Sequence, residues 1–329
     1  MWMLVLEVFV VGAIAALLIA LALVMSQREV TMQGQGDVGV DLDEIMARDK
    51  AETPPVQPVT MRDGFKLQCY KYGAPGRDVP LIVMVHASSF YGVQMHNLAT
   101  SVAKDAYVLV PDLRGHGPKP GRRGDIDYIG QFEDDLSDLI KTHARPDQKV
   151  MMVGHSVGAG LVVRMAGGPH GKLIDYAVLL APFLNHFATT TRRKSAGWAR
   201  VMMRRIVGLK LLNAVGFRGL NHLTVVQFNL PREALERSEG SSLCTAYSYR
   251  LNQSYMLRAD FRRDIAALPD FSLLVGARDE AFHAEAYAPL MRAVTDKGLY
   301  HVIPGLGHLG LVDAPQTLQI IRDVIKNVQ

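Results

Sequence analysis

The chain has 329 residues, 49% of them hydrophobic, and a net charge of only +4. That length and apolar content exclude a disordered chain and build one large domain with an insertion, or two domains. Its two cysteines, Cys69 and Cys244, make neither a disulfide framework nor a metal-ligand spacing and read as buried thiols.

Trp2 to Met25 is an almost unbroken apolar run in which Glu7 is the only charge. Its 24 residues span a hydrocarbon core with some tilt. A cleaved signal peptide is the alternative, with Ala20-Leu21-Ala22 as a small-residue cleavage site. Against it, no Lys or Arg precedes the run, which is longer than an ordinary signal core. The expectation is a single-pass transmembrane anchor over residues 1–27. Arg28, just past the span, favours a cytoplasmic domain, on a bacterial-type inner membrane if the chain is prokaryotic. Residues 28–56 hold Gly34, Gly36, the acidic stretch Asp41-Leu42-Asp43-Glu44, Pro54 and Pro55, without sustained apolar periodicity. They read as a linker with a short helix over 42–48.

Residues 57–329 carry alternating strand and helix patterns. Segments 59–61 and 66–72 predict a hairpin turning at Arg62-Asp63-Gly64. Short continuous apolar runs at 81–85, 107–110, 149–153, 177–180, 271–275 and 299–303 predict strands buried on both faces. Helical spacing separates most of them; over 126–143 it puts Phe132, Leu136, Leu139 and Ile140 on one face. The expected fold class is α/β with a mostly parallel sheet, whose ligands sit at the carboxyl ends of the strands.

At one such end stands Gly154-His155-Ser156-Val157-Gly158, an apolar strand running into a serine and then a helical pattern. A tight strand-to-helix turn strains the serine backbone and lifts its hydroxyl above the sheet. Serine is a poor nucleophile until a neutral imidazole takes its proton and a buried carboxylate fixes that imidazole. Both partners follow in order at strand ends: Asp279 in Val275-Gly276-Ala277-Arg278-Asp279, and His308 in Gly305-Leu306-Gly307-His308. Their ordinary readings, Asp279 as a helix cap and His308 as a loop histidine, weaken because all three residues recur at strand ends.

On these motifs, and on Asp112-Leu113-Arg114-Gly115-His116-Gly117, the chain resembles the α/β-hydrolase fold serine hydrolases. It is most similar to their monoacylglycerol lipase and lysophospholipase-like branch. The resemblance covers about residues 57–328 and implies Ser156 as nucleophile, Asp279 as acid, His308 as base, and an oxyanion hole from the amides of Val157 and Ser88. It departs at His86-Ala87, where the family has His-Gly, so the Ser88 loop is expected to sit differently. His86, Arg114 and His116 are expected to fix loops. Glu280 adjoins Asp279 but is expected to point away. No cofactor is implied, and no metal or nucleotide motif is present.

Between the fourth and fifth of these runs lies the segment where this fold carries its lid, expected here as a helical cap over about 184–268. Residues 184–265 hold 14 basic and 5 acidic residues, a net of +9 that leaves −5 for the rest of the chain. Within 199–212, apolar residues interleave with Arg200, Arg204, Arg205 and Lys210, which predicts a basic amphipathic helix. One reading is a lid helix with a solvated basic face. The other is a lid lying on an anionic membrane; nucleic-acid binding lacks the aromatic interleaving it needs. The expected activity is hydrolysis of a lipid-like ester, a monoacylglycerol or lysophospholipid. The alternatives are the same triad acting on an amide, thioester or carbon–carbon bond, or a non-catalytic ligand-binding member.

Overall fold

The computed structural model describes residues 2–32, 53–76, 78–192, 198–236 and 240–328. The helix expected at 42–48, and Arg193 and Lys194 of the basic run, lie outside the described residues. The chain opens with α1 (Trp2–Met25), long and apolar enough to cross a membrane by length and composition. Then come β1 (Val59–Thr60), β2 (Lys66–Leu67), β3 (Cys69–Tyr72), β4 (Leu81–Val85), α2 (His96–Val102), β5 (Tyr107–Pro111), α3 (Gln131–His143), β6 (Val150–His155), α4 (Val157–Ala166) and β7 (Tyr176–Leu180). An insertion follows, with β8 (Ala199–Val201), α5 (Met203–Ala214), β9 (Thr224–Phe228), α6 (Arg232–Glu236), β10 (Ala246–Ser248), α7 (Tyr249–Tyr255) and α8 (Phe261–Ala266). The chain closes with β11 (Asp270–Gly276), α9 (Tyr287–Arg292), β12 (Gly298–Ile303) and α10 (Pro315–Val328).

Seven strands form the central sheet in the order β12-β11-β7-β6-β4-β5-β3. All its pairings are parallel except β3 against β5. The apolar runs read from sequence are these strands: β4, β5 and β6 are buried along their whole length, because helices cover both faces. The chain leaves β4 for β5 on one side and returns to β6 on the other. The strand order therefore reverses between β4 and β6, where Val85 pairs with Gly154. Loops leaving the carboxyl ends of these two strands part there and open a crevice.

Local chemistry moves several boundaries. The hairpin forms, with Val59 opposite Leu67, but its second arm breaks at Gln68, and residues 69–72 join the central sheet instead. The helix read over 126–143 starts at Gln131, because Gly130 takes φ +103° and ends the preceding turn; Phe132, Leu136, Leu139 and Ile140 are buried as expected.

The insertion departs further from expectation. It holds helices, but also a three-stranded antiparallel sheet, β10-β9-β8. The basic amphipathic helix is shorter than its pattern suggested, since Ala199–Val201 pairs with Val226–Phe228 as a strand. Its arginines are not all solvated: Arg204 is exposed, but Arg200 and Arg205 turn toward the chain that leaves α1. Arg205 is 8% exposed and donates to the carbonyls of Val24, Gln27 and Thr224. Arg200 donates to Arg28 O and Gln227 Oε1, both at 2.9 Å, and Arg204 reaches Ser26 O at 3.4 Å. The last turn of a helix leaves its carbonyls without partners and carries partial negative charge, and these cations meet it at the end of α1. Where α5 crosses α1, a Cβ on Gly208 would lie 2.6 Å from Ala20 O, so only glycine permits that approach.

Candidate active site

Ser156 sits between β6 and α4 with φ +56° and ψ −118°, a conformation that non-glycine residues rarely hold. The packing around it imposes this. A Cβ on Gly154 would lie 2.6 Å from Ala159 N, and one on Gly158 would lie 2.6 Å from Val85 O and closer still to His86 O. The turn is thus pressed between its own helix and the β4 end. Ser156 N–H donates to Leu180 O at 2.9 Å, which ties the turn to β7.

Val157 is the first residue of α4, so its amide has no acceptor within the helix and lies at the positive end of the helix dipole. Facing it across the crevice is the loop after β4. There the Ala87 amide donates to Gln94 Oε1 at 2.7 Å and the Ser89 amide to Tyr247 Oη at 2.8 Å. The Ser88 amide between them has no hydrogen-bond partner among the described residues, and Ser88 and Val157 line the same cavity as Ser156. The substitution at Ala87 causes no strain: the positive φ of this loop, +67°, falls on Ser89.

Asp279 and His308 lie past the ends of β11 and β12, adjacent parallel strands. His308 Nδ1–H donates to Asp279 Oδ2 at 2.8 Å, and Asp279 is 1% exposed. Asp279 Oδ1 accepts the amides of Ala281 at 2.9 Å and Phe282 at 2.7 Å. One carboxylate therefore both caps the turn and holds the ring. Burial disfavours a charged His308, but the charge and hydrogen bond of Asp279, helped by the charge of Glu280, outweigh it and hold the ring above the ordinary histidine value. His308 and Ser156 line one cavity without a hydrogen bond between their side chains in this arrangement.

A polar chain that no sequence motif marks runs behind these residues. Gln94 Nε2–H donates to His155 Nδ1 at 3.0 Å, and His155 Nε2–H then donates to His308 O at 3.1 Å. With the Ala87 amide on Gln94 Oε1, one chain joins the β4 loop, the serine turn and the histidine loop. Glu280, expected to point away, does not touch the His308 ring but accepts the His308 backbone amide on Oε2 at 2.7 Å. The insertion contributes Tyr247, whose hydroxyl takes the Ser89 amide and donates to His116 Nε2 at 2.8 Å. His86 and Arg114 fix loops as expected: His86 bonds Ala87 O at 2.8 Å, and Arg114 forks onto Asp135 at 2.9 and 2.8 Å.

The cavity above Ser156 is mostly apolar, walled by Phe183, Trp198, Val201, Val226, Phe228 and Phe282, with His186 and Asn252 among its few polar groups. No group of three or more His, Cys, Asp or Glu residues suited to a metal occurs among the described residues.

Asp112, past the end of β5, braces the β4 loop from below. It is 3% exposed, its Oδ1 accepts the Gly92 amide at 2.8 Å, and burial pushes its carboxyl up to about 7. The folded chain keeps this proton where the unfolded chain has lost it. The stability it contributes is therefore whole at acid pH and is lost as pH rises from the ordinary aspartate range through about 7. Asp112→Asn is expected to melt above wild type at pH 8, by about 1–3 kcal/mol, with the two proteins converging near pH 4.

A sequence profile of the alpha/beta hydrolase family matches residues 82–318. No curated protein sequence matches the chain. Among solved structures, a soluble variant of monoglyceride lipase from Saccharomyces cerevisiae, in complex with a substrate analogue, aligns with a TM-score of 0.63 at 15% identity, over 85% of this chain and 96% of that one. The monoacylglycerol lipase of Paleococcus ferrophilus aligns with a TM-score of 0.59 at 18% identity, over 80% of this chain and 98% of that one. A bacterial membrane phospholipase A, described as a virulence factor, aligns with a TM-score of 0.57 at 14% identity, over 100% of this chain and 99% of that one. At these identities the likeness is one of fold.

Proposed function

This chain belongs to the alpha/beta hydrolase family, and from that premise we propose that it is a membrane-anchored serine hydrolase cleaving carboxylic esters of lipid-like substrates, monoacylglycerols or lysophospholipids. The observation that carries this reading is the pairing of His308 Nδ1 with buried Asp279 at 2.8 Å, over the same cavity into which the strained Ser156 turn opens. The paired carboxylate keeps the ring proton on Nδ1, so Nε2 is left basic. His308 Nε2 takes the proton of Ser156 Oγ as Oγ attacks the acyl carbonyl. Negative charge builds on the carbonyl oxygen, where the amides of Val157 and Ser88 receive it. The same ring then gives its proton to the leaving alcohol, and water repeats the cycle on the acyl-serine. The apolar walls fit a hydrocarbon acyl chain, and α1 as an anchor over residues 1–27 holds the hydrolase domain of 57–329 and its cap beside the lipid.

The test is covalent labelling of the full chain in membranes with a fluorophosphonate, followed by a panel of esters, amides and thioesters. Labelling at Ser156 with preference for monoacylglycerol or lysophospholipid esters is the expected result. Folded protein that takes no label, with detergent present to open the lid, would turn the assignment toward a ligand-binding protein.

The pH profile gives a second check. His308 must be neutral to act as a base, and the Asp279 and Glu280 charges stabilise its protonated form. Activity therefore rises with pH through a midpoint above the ordinary histidine value. Glu280→Gln keeps an acceptor for the His308 amide but removes a charge, so the midpoint is expected to move down by about half a pH unit while the plateau falls less than about tenfold.

A further inference from the structure

Helix α5 has two apolar sides. One is buried: Gly208, Leu209 and Leu212 face inward, and Gly208 meets Ala20 and Val24 of α1. The other points outward. Met203, Val207, Leu211 and Val215 are between 40% and 75% exposed. Spaced four residues apart, they form one stripe along the helix and just past its end. A helix whose outer side met only water would place polar residues there, and a contiguous exposed apolar strip marks an interaction surface.

Three observations say what covers it. The helix that bears the stripe lies against the last turns of α1, where Ala20 and Val24 are buried while Leu18, Ile19 and Met25 stay exposed. If α1 spans a bilayer, those turns stand at the boundary between acyl chains and headgroups. Next, the exposed charges beside the stripe, Arg204 and Lys210, are cationic, as is Arg218 beyond it, which suits anionic headgroups. Finally, α5 is fixed relative to α1. Arg205 holds Val24 O and Gln27 O, its own amide donates to Gln27 Oε1 at 3.1 Å, and Val30 and Gln227 exchange two hydrogen bonds at 3.1 and 2.8 Å. The outward stripe thus keeps one angle to α1.

We infer that the outer side of α5 is a second membrane contact, seated in the headgroup–acyl boundary of the bilayer that α1 crosses. The inference rests on the reading of α1 as a membrane anchor and deepens it. Strand β8 immediately precedes α5, and its Ala199 and Val201 line the cavity of Ser156. Seating α5 in the boundary would therefore hold the β8 wall of the cavity close to the bilayer that carries an amphiphilic ester.

The test uses the full chain in vesicles of phosphatidylcholine and phosphatidylglycerol, with a single environment-sensitive fluorophore on a cysteine at one of four places. Leu18→Cys reports α1, Val207→Cys and Leu211→Cys report the stripe, and Asp323→Cys on α10 is the water-facing control. We expect spin-labelled lipids to quench position 18 strongly, and shallow spin labels to quench 207 and 211 at least threefold more than 323, with matching protection from aqueous iodide. If 18 is quenched while 207 and 211 behave like 323, the inference is overturned and the anchor stands. If 18 is not quenched, both fail. Protection of 207 and 211 from iodide without lipid quenching, together with cross-linking between copies, assigns the stripe to a second chain and also overturns the inference.

Discussion

Ser156→Ala is expected to lower kcat for ester hydrolysis by about 10⁴- to 10⁶-fold, with little change in KM and an unchanged melting temperature. The size follows from the division of labour in the site. In the proposed mechanism Oγ is the atom that forms the acyl intermediate, and the substitution removes it. It leaves the Val157 and Ser88 amides and the apolar walls, which on the same proposal would still bind substrate and stabilise attack by water. The fold should not suffer: Oγ has no hydrogen-bond partner among the described residues, and alanine keeps the Cβ already accommodated at φ +56°. Steady-state kinetics beside a thermal melt check both halves of the statement. A loss below about tenfold would place the chemistry elsewhere.

Asp279→Asn is expected to cost about 10³- to 10⁴-fold in kcat, through the wrong tautomer of His308 rather than through lost packing. The side chain has two tasks on two oxygens. Oδ1 accepts the amides of Ala281 and Phe282, which only an oxygen can do. Asparagine must therefore keep its oxygen there and present its NH₂ to His308 Nδ1. That donor pairs with an unprotonated Nδ1, so the ring proton moves to Nε2, where it cannot receive the proton of Ser156. The charge of Asp279 also holds the ring above the ordinary histidine value, so the residual activity should rise with pH through a lower midpoint than in wild type. Asp279→Ala also removes the one oxygen that accepts both amides and should destabilise the turn by about 1–3 kcal/mol besides. Comparing the two melts separates the ring-holding role from the capping role.

The residues expected to carry the chemistry are legible because strand ends punctuate sequence well. Each apolar run stops where its backbone leaves the sheet, and Ser156, Asp279, His308 and the Ser88 loop stand at those stops. The polar chain behind them leaves no such trace. Gln94 and His155 meet across 61 residues, and only the β4–β6 pairing brings them together. Tyr247 reaches Ser89 across 158 residues from a strand of three residues, too short to show alternation. The short strand ahead of the cap helix is hidden for a related cause. Residues 199–212 do hold helical spacing, but pairing of Ala199–Val201 with β9 outweighs it at the amino end. A sequence shows the charge of Arg205 without showing the carbonyls of Val24 and Gln27 that take it.

Tyr247 has a bearing on how the fold can be recombined. It belongs to the insertion, yet its hydroxyl takes the Ser89 amide and supplies His116, and the Cys244 amide donates to Ser89 O at 2.8 Å nearby. The insertion is therefore not a detachable module. A chimera that grafts a foreign lid between β7 and β11 strands two buried polar groups of the host unless the donor brings a phenol to the same spot. Such an exchange would register first as a weakened core and only then as a new substrate preference. Lid shuffling in this chain is thus constrained by the Tyr247 hydroxyl and the Cys244 amide together.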